Sequence, residues 1–599
     1  MRVLSVSMYS DIWIHSFPQH VIGRELRDSG DEVCHLRCRG VLSTYCNAMA
    51  ARGLREEATP EERASVCRSC RKRTRLLSVR SGMDETYLDD QLNEFDVEVV
   101  NAYVNSVNAH NWTEIELEGV NVARLSAYEF FLQHKLNSLV IPDELWITFL
   151  GYVRNAALTL VGAKRVIDEW APDRILVYNS MYASNNVISR YAATKGIPCT
   201  SIHAGQNIKH RYGTLAVYDA AKIPHMAFSS EEWIECRDKE MQSVSASLVV
   251  DHLLEVFGGQ SRFVYSRPLT GGRSEDLREK FGIPDESKVL VATMSSLDET
   301  IGARLAGIMQ EESGGSLYPR AVEWVDALRR FAESRPNSFI IVRVHPREFP
   351  NKRESVLSQN ALELQKHLET LPFNMVVNWP DDNISLYDLA SITDVCLNFS
   401  STAGIEMMAL GIPTIIPRYE MMVAYDPDIG PVAETELQYF GLVDDALEAG
   451  WSVENIRRAF RWWAFVFTRL AADISDAFTY PTAGYLSVGE SRASTLRNAA
   501  LKLMAKWLPP VMEIRDLTRR YELVSGPLLV DAIHDSVEFL IGPESRDVHQ
   551  SEDVLLASQL SRLIDVFDAF GMQGVSYVEN MRAFVSSQIS RTIDSRSSS

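Results

Sequence analysis

The chain has 599 residues, of which 46% are hydrophobic and 23% charged, and its formal net charge is −20. This length exceeds what one hydrophobic core serves, so two or three globular domains are expected. The acidic balance argues against general affinity for nucleic acid or anionic lipid, because those partners require a basic surface.

The N-terminal residues read as a strand instead of a charged leader followed by an apolar stretch, which predicts a cytoplasmic protein without a secretory signal. The most apolar long segment, 145–160, contains Arg154, which disfavours a membrane-spanning helix. An aromatic and arginine-bearing helix around Trp462 and Trp463 is interpreted as interdomain core. The alternative is peripheral contact with the inner face of a membrane that carries a lipid-linked acceptor.

The first half of the chain alternates strands with helices. Strands are predicted at 2–7, 32–36, 174–179 and 196–203, with helices at 17–28 and 183–195 and a mostly helical region at about 88–170. Alternation at this spacing is typical of a parallel, doubly wound sheet.

Five of the eight cysteines lie close together in the sequence, at Cys34, Cys38, Cys46, Cys67 and Cys70. Paired thiolates at short spacing are typical of a structural zinc site. Neighbouring arginines such as Arg68 are expected either to lower the thiol pKa or to form a solvated basic face. An iron–sulfur cluster and a set of buried reduced cysteines remain open as alternatives.

The second half repeats the α/β pattern after a Gly/Ser-rich boundary at about 258–274. Strands are predicted at 288–294, up to 344, at 375–377 and up to 398, and helices at about 321–335, 356–368 and 385–391. Beyond residue 419 the pattern turns helical, notably at 453–472, and the part after about 481 has no assigned role.

Two β-branched apolar runs of this second half end abruptly in polar residues, as buried parallel strands do at the carboxyl edge of a sheet. The first run, 340–348, delivers His345, which suits donation to a phosphate. The second, 395–417, delivers Ser400 and Ser401 just before a helix-favouring segment, where free N–H groups are expected to bind an anion. Ser295 and Asp298, after the preceding strand, are further candidates.

These motifs resemble a known family. Val344-His345-Pro346, followed by residues 398–406 and by Gly411-Ile-Pro413, resembles the HP and SS motifs of bacterial capsule polysaccharide biosynthesis proteins of the GT-B glycosyltransferase type. That group includes transferases that use CMP-activated Kdo and sialic acid, and similar motifs occur in the CDP-glycerol polymerases of teichoic acid synthesis. Segments 177–179, 196–198 and 202–205 are similar to the acceptor-side domain of the family, so the resemblance covers roughly residues 1–470.

The resemblance implies a GT-B-like α/β fold in which two doubly wound Rossmann-type domains face a cleft. Residues 1–265 would form the acceptor-side domain with a cysteine-rich insert at about 34–80, and residues 266–470 the nucleotide-sugar-binding domain. Residues 471–599 would form a helical C-terminal extension. Catalysis in such a fold does not require a metal, so zinc at the cysteines would be structural.

Site residues are assigned on the same basis. The donor side comprises Ser295, Ser296, Arg343, His345, Ser400, Ser401, Thr402, Gly404 and Glu406. Glu406 is expected to contact the ribose or base, with simple complementation of the helix dipole as the alternative. On the acceptor side stand Asn179 and His203, and the preferred catalytic base is Asp11, followed by His15. Inverting and retaining routes both stay open.

The expected activity is transfer of a sugar, an acidic one from a CMP donor in the leading version, onto a surface or capsular glycan. The partners would be a nucleotide-activated sugar and a glycan or lipid-linked glycan acceptor. Two alternatives remain: a CDP-alcohol phosphotransferase of the teichoic-acid type, and a non-catalytic capsule assembly protein.

Overall fold

The structure, a computed structural model, describes residues 1–223, 230–261, 263–271, 274–309, 315–351, 355–419, 426, 429–477, 509–544 and 551–597. Its strands are β1 (Arg2–Val6), β2 (Glu32–Arg37), β3 (Asp84–Tyr87), β4 (Arg174–Tyr178), β5 (Cys199–Ala204), β6 (Thr214–Asp219), β7 (Lys288–Met294), β8 (Ser338–Arg343), β9 (Met375–Asn378), β10 (Val395–Phe399), β11 (Thr414–Pro417), β12 (Val432–Ala433) and β13 (Ala472–Asp473).

The helices of the first half are α1 (Trp13–Asp28), α2 (Asn47–Ala51), α3 (Pro60–Ser81), α4 (Glu94–Ser106), α5 (Val122–His134), α6 (Asp143–Trp170), α7 (Ala183–Thr194), α8 (Glu231–Cys236) and α9 (Ser243–Gly258). Those that follow are α10 (Ser274–Phe281), α11 (Leu297–Leu305), α12 (Ala321–Ser334), α13 (Gln359–His367), α14 (Leu386–Leu389), α15 (Ala403–Met408), α16 (Glu436–Ala449), α17 (Val453–Thr468), α18 (Pro509–Thr518), α19 (Gly526–His534), α20 (Glu552–Ala569) and α21 (Ser576–Ser597).

The first sheet has the strand order β13-β6-β5-β4-β1-β2-β3. Strands β1 to β5 run parallel. At one edge β6 pairs antiparallel with β5, and β13 pairs antiparallel with β6. The order reverses between β1 and β4, so the carboxyl ends of these two strands flank a crevice, which is where doubly wound sheets bind ligands.

The second sheet has the order β12-β11-β10-β7-β8-β9, and all of its pairs are parallel. Its reversal lies between β7 and β10. Strands β8 and β10 are buried along their whole length, as their continuous β-branched and apolar sequences predict. The predicted fold class, two doubly wound Rossmann-like sheets with packed helices, is therefore confirmed.

Helix α6 is long and apolar enough, by length and composition, to cross a membrane. In the structure it packs against α4, α5 and α7, and 61% of its most apolar window is buried inside the protein. We therefore describe it as a core helix of the first half.

The cysteine-rich segment contains more regular structure than its sequence predicts. Helix α3 runs for 22 residues and begins with a capping box, in which the Thr59 hydroxyl accepts from Glu62 N–H and the Glu62 carboxylate accepts from Thr59 N–H. The chain then enters β3, which pairs with β2. The sequence did not predict this helix, because its central turns are rich in arginine and serine and show no amphipathic pattern.

The largest apolar cluster that joins the two halves is built mainly from α9, α17 and α20. A second contact between the halves is made by α5 and α11. Trp462 and Trp463 of α17 are buried in it, and Arg457 and Arg461 on the same helix pair with Glu552. The interpretation of this helix as interdomain core is thus confirmed.

The chain returns to the first half after α17. Strand β13 joins the first sheet, and α19 packs against α1. The division at 265/266 and 470/471 stays a prediction, and residues 478–508 of the predicted C-terminal extension lie outside the described residues.

Glu129 of α5 is a buried carboxyl group that caps a neighbouring helix. Both of its oxygens accept from the N–H of Ala183, at 2.9 and 3.1 Å, at the start of α7. Burial raises the pKa of Glu129 to about 8, which the bond from Ala183 only partly offsets.

The titration of Glu129 should be visible in the pH dependence of the free energy of unfolding. The folded protein keeps Glu129 protonated up to about pH 8, whereas the unfolded chain releases the proton near its ordinary value of 4.5. The folded state thus binds more protons in this window, and stability falls as pH rises through it, by up to about 5 kcal/mol. Glu129→Gln should remove this part of the pH dependence of stability, even if the substitution changes stability by a constant amount at every pH. Melting temperatures between pH 5 and 8 measure this, with exposed Glu144→Gln as the control that should keep the wild-type slope.

Candidate functional site

A cavity of about 410 Å³ lies between the carboxyl ends of the two sheets. Side chains from both halves line it, and its size is that of a small-molecule site. Eight residues singled out from the sequence line this cleft together: His203, Ser295, Arg343, His345, Ser400, Ser401, Thr402 and Glu406.

The turn after β10 is held by buried polar contacts. The Asn398 amide donates to Ser401 O at 2.9 Å, and the Thr293 hydroxyl of β7 donates to the Asn398 side-chain oxygen at 2.8 Å. Ser400 adopts a positive φ of 73°, a left-handed conformation that is strained for a residue with a Cβ. Such strain persists only where the surroundings enforce it, which marks this turn as a functional candidate.

The expectation of free N–H groups at the start of the following helix is wrong for residues 403–406. Ala403 N donates to the Ser401 hydroxyl at 3.3 Å, and Gly404 N donates to Ser401 O at 3.2 Å. Ile405 N and Glu406 N both donate to Thr402 O. Helix α15 is also only six residues long, so anion binding here depends mainly on side chains.

His345 lies directly after β8 and lines the cleft. Its Nδ1 accepts a hydrogen bond from the backbone N–H of Arg347 at 3.2 Å. Because a backbone N–H can only donate, the neutral ring carries its proton on Nε2. His345 therefore presents a donor, as the predicted phosphate contact requires.

A basic residue, Arg343, and an acidic one, Glu406, line the same cleft. Arg343 donates to the Asn378 side chain and to Ile384 O, and burial lowers its pKa to about 10, which leaves it cationic at neutral pH. The Tyr387 hydroxyl donates to Glu406 at 2.7 Å. Burial raises the pKa of Glu406, and the bond from Tyr387 opposes that rise.

Arg347 links the loop after β8 to helix α11. Its guanidinium pairs with Asp298 at 2.8 Å and with Glu299 at 2.6 Å, and it donates to the Ser296 hydroxyl at 3.1 Å. Arg347 and Asp298 are each 3% exposed, so this is a buried ion pair. Ser296 and Asp298 therefore support the cleft wall from behind, whereas Glu299 lines the cleft. Gly404 lies behind the turn and is also absent from the lining.

The first half contributes His203 at the end of β5. Its Nδ1 lies 3.0 Å from Ala204 O, and its ring is 5.6 Å from that of Tyr178. His15 stacks on the same tyrosine at 4.1 Å but does not line the cleft. Asn179, after β4, has a φ of 60°, and its side-chain oxygen accepts from Met181 N, so it shapes a turn behind the lining.

Asp11, the preferred base from the sequence, is engaged elsewhere. Its carboxylate binds Arg52 at 2.7 Å, the Ser69 hydroxyl at 2.6 Å, and Arg73. Burial raises the pKa of Asp11, but the bonds from Arg52 and Ser69 and the charge of Arg73 outweigh that and leave it lowered. Asp11 therefore ties α3 to the first sheet, away from the cleft lining.

Four of the five clustered cysteines, Cys38, Cys46, Cys67 and Cys70, line one small cavity, whereas Cys34 lies on β2 outside it. Burial raises the pKa of Cys38 to about 12 and of Cys70 to about 11, so the expectation of lowered thiol pKa values is wrong. Burial also raises the pKa of Cys67, against a smaller lowering by the charge of Arg71. Among the described residues, no group of three or more His, Cys, Asp or Glu side chains is arranged to hold a metal ion. Zinc at this cluster stays a prediction.

Several residues of the cleft were not found from the sequence. Arg211, His252, Glu299 and Tyr387 all line it. His252 is on α9, where its Nδ1 accepts from Ile208 N at 3.1 Å and burial lowers its pKa to about 3. Glu299 directly follows the candidate Asp298 in α11, so the strand-tip signal of β7 could have found it. His252 and Tyr387 lie on helices α9 and α14, so only the packing of distant elements brings them to the site.

No protein-family model matches the chain, and a sequence search against curated proteins finds no match. Similar solved structures include a β Kdo 2,4 transferase, KpsC, of Thermosulfurimonas dismutans, with 14% identity and a TM-score of 0.30 over 48% of this chain and 79% of that one. A UDP-GlcNAc 2-epimerase from Neisseria meningitidis, bound to UDP-GlcNAc, has 12% identity and a TM-score of 0.25 over 77% and 94%.

The glycosyltransferase SnogD from Streptomyces nogalater has 15% identity and a TM-score of 0.20 over 78% of this chain and 95% of that one. All three TM-scores are below 0.5. The fold assignment therefore depends on the strand order of the chain itself.

The buried ion pair behind the cleft should dominate the stability of this wall. Arg347→Met would leave Asp298 buried without its charge partner, which costs about 3–5 kcal/mol. Arg330→Met breaks an exposed pair with Glu436 and should cost about 0–1 kcal/mol. Urea-induced unfolding of both variants measures the difference, and equal small losses would contradict the importance of the pair.

Proposed function

We propose that the chain transfers a sugar from a nucleotide-activated donor to a hydroxyl group of a glycan acceptor. The observation that carries the proposal is that His345, Arg343, Ser400 and Ser401 line one cleft beside the strand-order reversal of the second sheet. Breaking a sugar–phosphate bond leaves negative charge on the phosphate, and positioned donors stabilise it.

His345 is the donor best suited to that charge. Its neutral ring carries the proton on Nε2, because Nδ1 is occupied as an acceptor from Arg347 N–H. Nε2–H can donate a hydrogen bond to the leaving phosphate oxygen or transfer its proton to that oxygen. Arg343 adds a buried positive charge, and the two serine hydroxyls add further donors.

An acidic sugar on a CMP donor is the specific substrate that we favour. Such a donor carries a phosphate and a carboxylate. The cleft offers Arg211, Arg343 and three histidines as partners for these groups, whereas its carboxylates are Glu299 and Glu406. The likeness of the HP and SS segments to capsule-type transferases supports the same choice. The acceptor would then be a surface or capsular glycan, which enters from the wall formed by the first half.

A donor panel tests the reaction. Purified full-length protein is incubated with CMP-, CDP- and UDP-linked donors, and nucleotide release is followed by chromatography. We expect CMP release with transfer of an acidic sugar. Release of CMP with transfer of a glycerophosphate group would instead indicate a phosphotransferase, and no binding or turnover with any donor would contradict an enzymatic role.

Loss of the His345 donor should abolish most of the activity. His345→Asn keeps a side-chain acceptor near the position of Nδ1, which preserves the turn, but it removes Nε2–H. We expect turnover to fall about 100- to 1,000-fold with little change in melting temperature. His367→Asn, at an exposed position of α13, is the matched control and should retain wild-type turnover. Wild-type activity in His345→Asn would rule out this role.

A further inference from the structure

The three histidines that line the cleft differ in the hydrogen bond made by Nδ1. In His345 and His252, Nδ1 accepts from a backbone N–H, so Nε2 carries the proton in the neutral ring. In His203, Nδ1 faces the carbonyl oxygen of Ala204 at 3.0 Å. A carbonyl oxygen can only accept, so Nδ1 of His203 carries the proton and Nε2 has the lone pair.

The position of His203 is well defined by its surroundings. The residue is the last but one of β5, where it pairs with Ala216 of β6. The Tyr178 hydroxyl accepts from Ala204 N–H at 3.1 Å, and the Tyr178 ring lies 5.6 Å from the imidazole. Strand pairing and the tyrosine therefore hold the ring at the edge of the first sheet, facing a cleft whose other wall carries His345.

The carboxylates that line the cleft are already engaged. Glu299 is bound by the Arg347 guanidinium at 2.6 Å, and Glu406 accepts from the Tyr387 hydroxyl at 2.7 Å. Both carboxylates therefore belong to hydrogen-bonded groups of the second half. Among the three histidines that line the cleft, His203 is the one whose neutral ring has its acceptor nitrogen at Nε2.

We propose that His203 is the catalytic base of this reaction, and the proposal rests on the sugar transfer proposed above. Nε2 of His203 removes the proton of the acceptor hydroxyl as that oxygen forms a bond to the anomeric carbon. The bond between that carbon and the phosphate oxygen breaks, and its electron pair stays on the phosphate, where His345 Nε2–H and Arg343 stabilise it. The proton remains on His203 until product release.

The placement of the two histidines also has a stereochemical consequence. His203 belongs to the wall formed by the first sheet and His345 to the wall formed by the second. A base and a leaving-group donor on opposite walls favour attack from the face opposite the phosphate. The product should therefore have the inverted anomeric configuration.

The test uses full-length protein and two substitutions. His203→Asn keeps an N–H donor for Ala204 O but has no basic nitrogen, and His203→Ala opens space for added imidazole. We expect His203→Asn to bind CMP within about twofold of wild type by calorimetry, because the nucleotide lies on the other wall. Turnover with the donor identified above should fall about 100- to 10,000-fold, and imidazole should restore part of the activity of His203→Ala.

The pH profile separates a base from a structural residue. In the wild type, kcat/KM should rise with pH as the base loses its proton, and this limb should vanish in His203→Asn. The other charged and titratable groups in the cleft are unchanged in the variant; they include Arg211, His252, Glu299, Arg343, His345 and Glu406. His210→Asn is the matched control and should behave as wild type, since Asp251 keeps Lys209 and Arg562 as partners.

Several outcomes would overturn the proposal. Turnover of His203→Asn within tenfold of wild type, persistence of the rising limb, or retention of anomeric configuration by NMR would each exclude His203 as the base. Loss of the limb in Glu299→Gln instead would assign the role to that carboxylate. If wild-type protein neither binds CMP nor turns over any donor, the proposed function itself fails, and the assignment of His203 fails with it.

Discussion

The cleft depends on one apolar core that the two halves share. Helices α9, α17 and α20 pack together, and their buried residues form a cluster with the residues of α15. Val256, Trp463 and Phe467 belong both to that cluster and to the cleft lining. Because burial of apolar surface is the main favourable term in folding, this core sets how far apart the two walls stand. The polar residues of the site therefore lie beside apolar residues that also belong to this shared core.

Within that frame, backbone groups decide what each imidazole offers. A histidine beside a backbone N–H becomes a donor at Nε2, and one beside a carbonyl becomes an acceptor there. His345 and His203 illustrate the two cases, and each depends on a neighbour within two residues in the chain. The division of roles thus needs no long-range charge network, only two strand ends that turn differently.

The strand tips were predictable because their signal is local. The β-branched runs before His345 and Ser400 end where the strands end, and the parallel order brings both tips to one edge. The strained conformation of Ser400 was not predictable, because it follows from the buried Asn398 contacts. The engagement of Asp11 outside the cleft lining was not predictable either, because the arginines that neutralise it lie 41 and 62 residues away in the chain. His252 and Tyr387 reach the cleft through helix packing, which no local pattern records.

Arg347 connects the loop that carries His345 with helix α11. Its backbone N–H sets the tautomer of His345, while its guanidinium holds Asp298 and Glu299 of α11. A buried guanidinium needs its full set of partners, so the loop after β8 and the start of α11 must adopt their positions together. The leaving-group donor and the acidic part of the cleft wall are therefore coupled through one side chain. Any displacement of α11 would therefore strain the loop that presents His345, so the two elements form one structural unit of this wall.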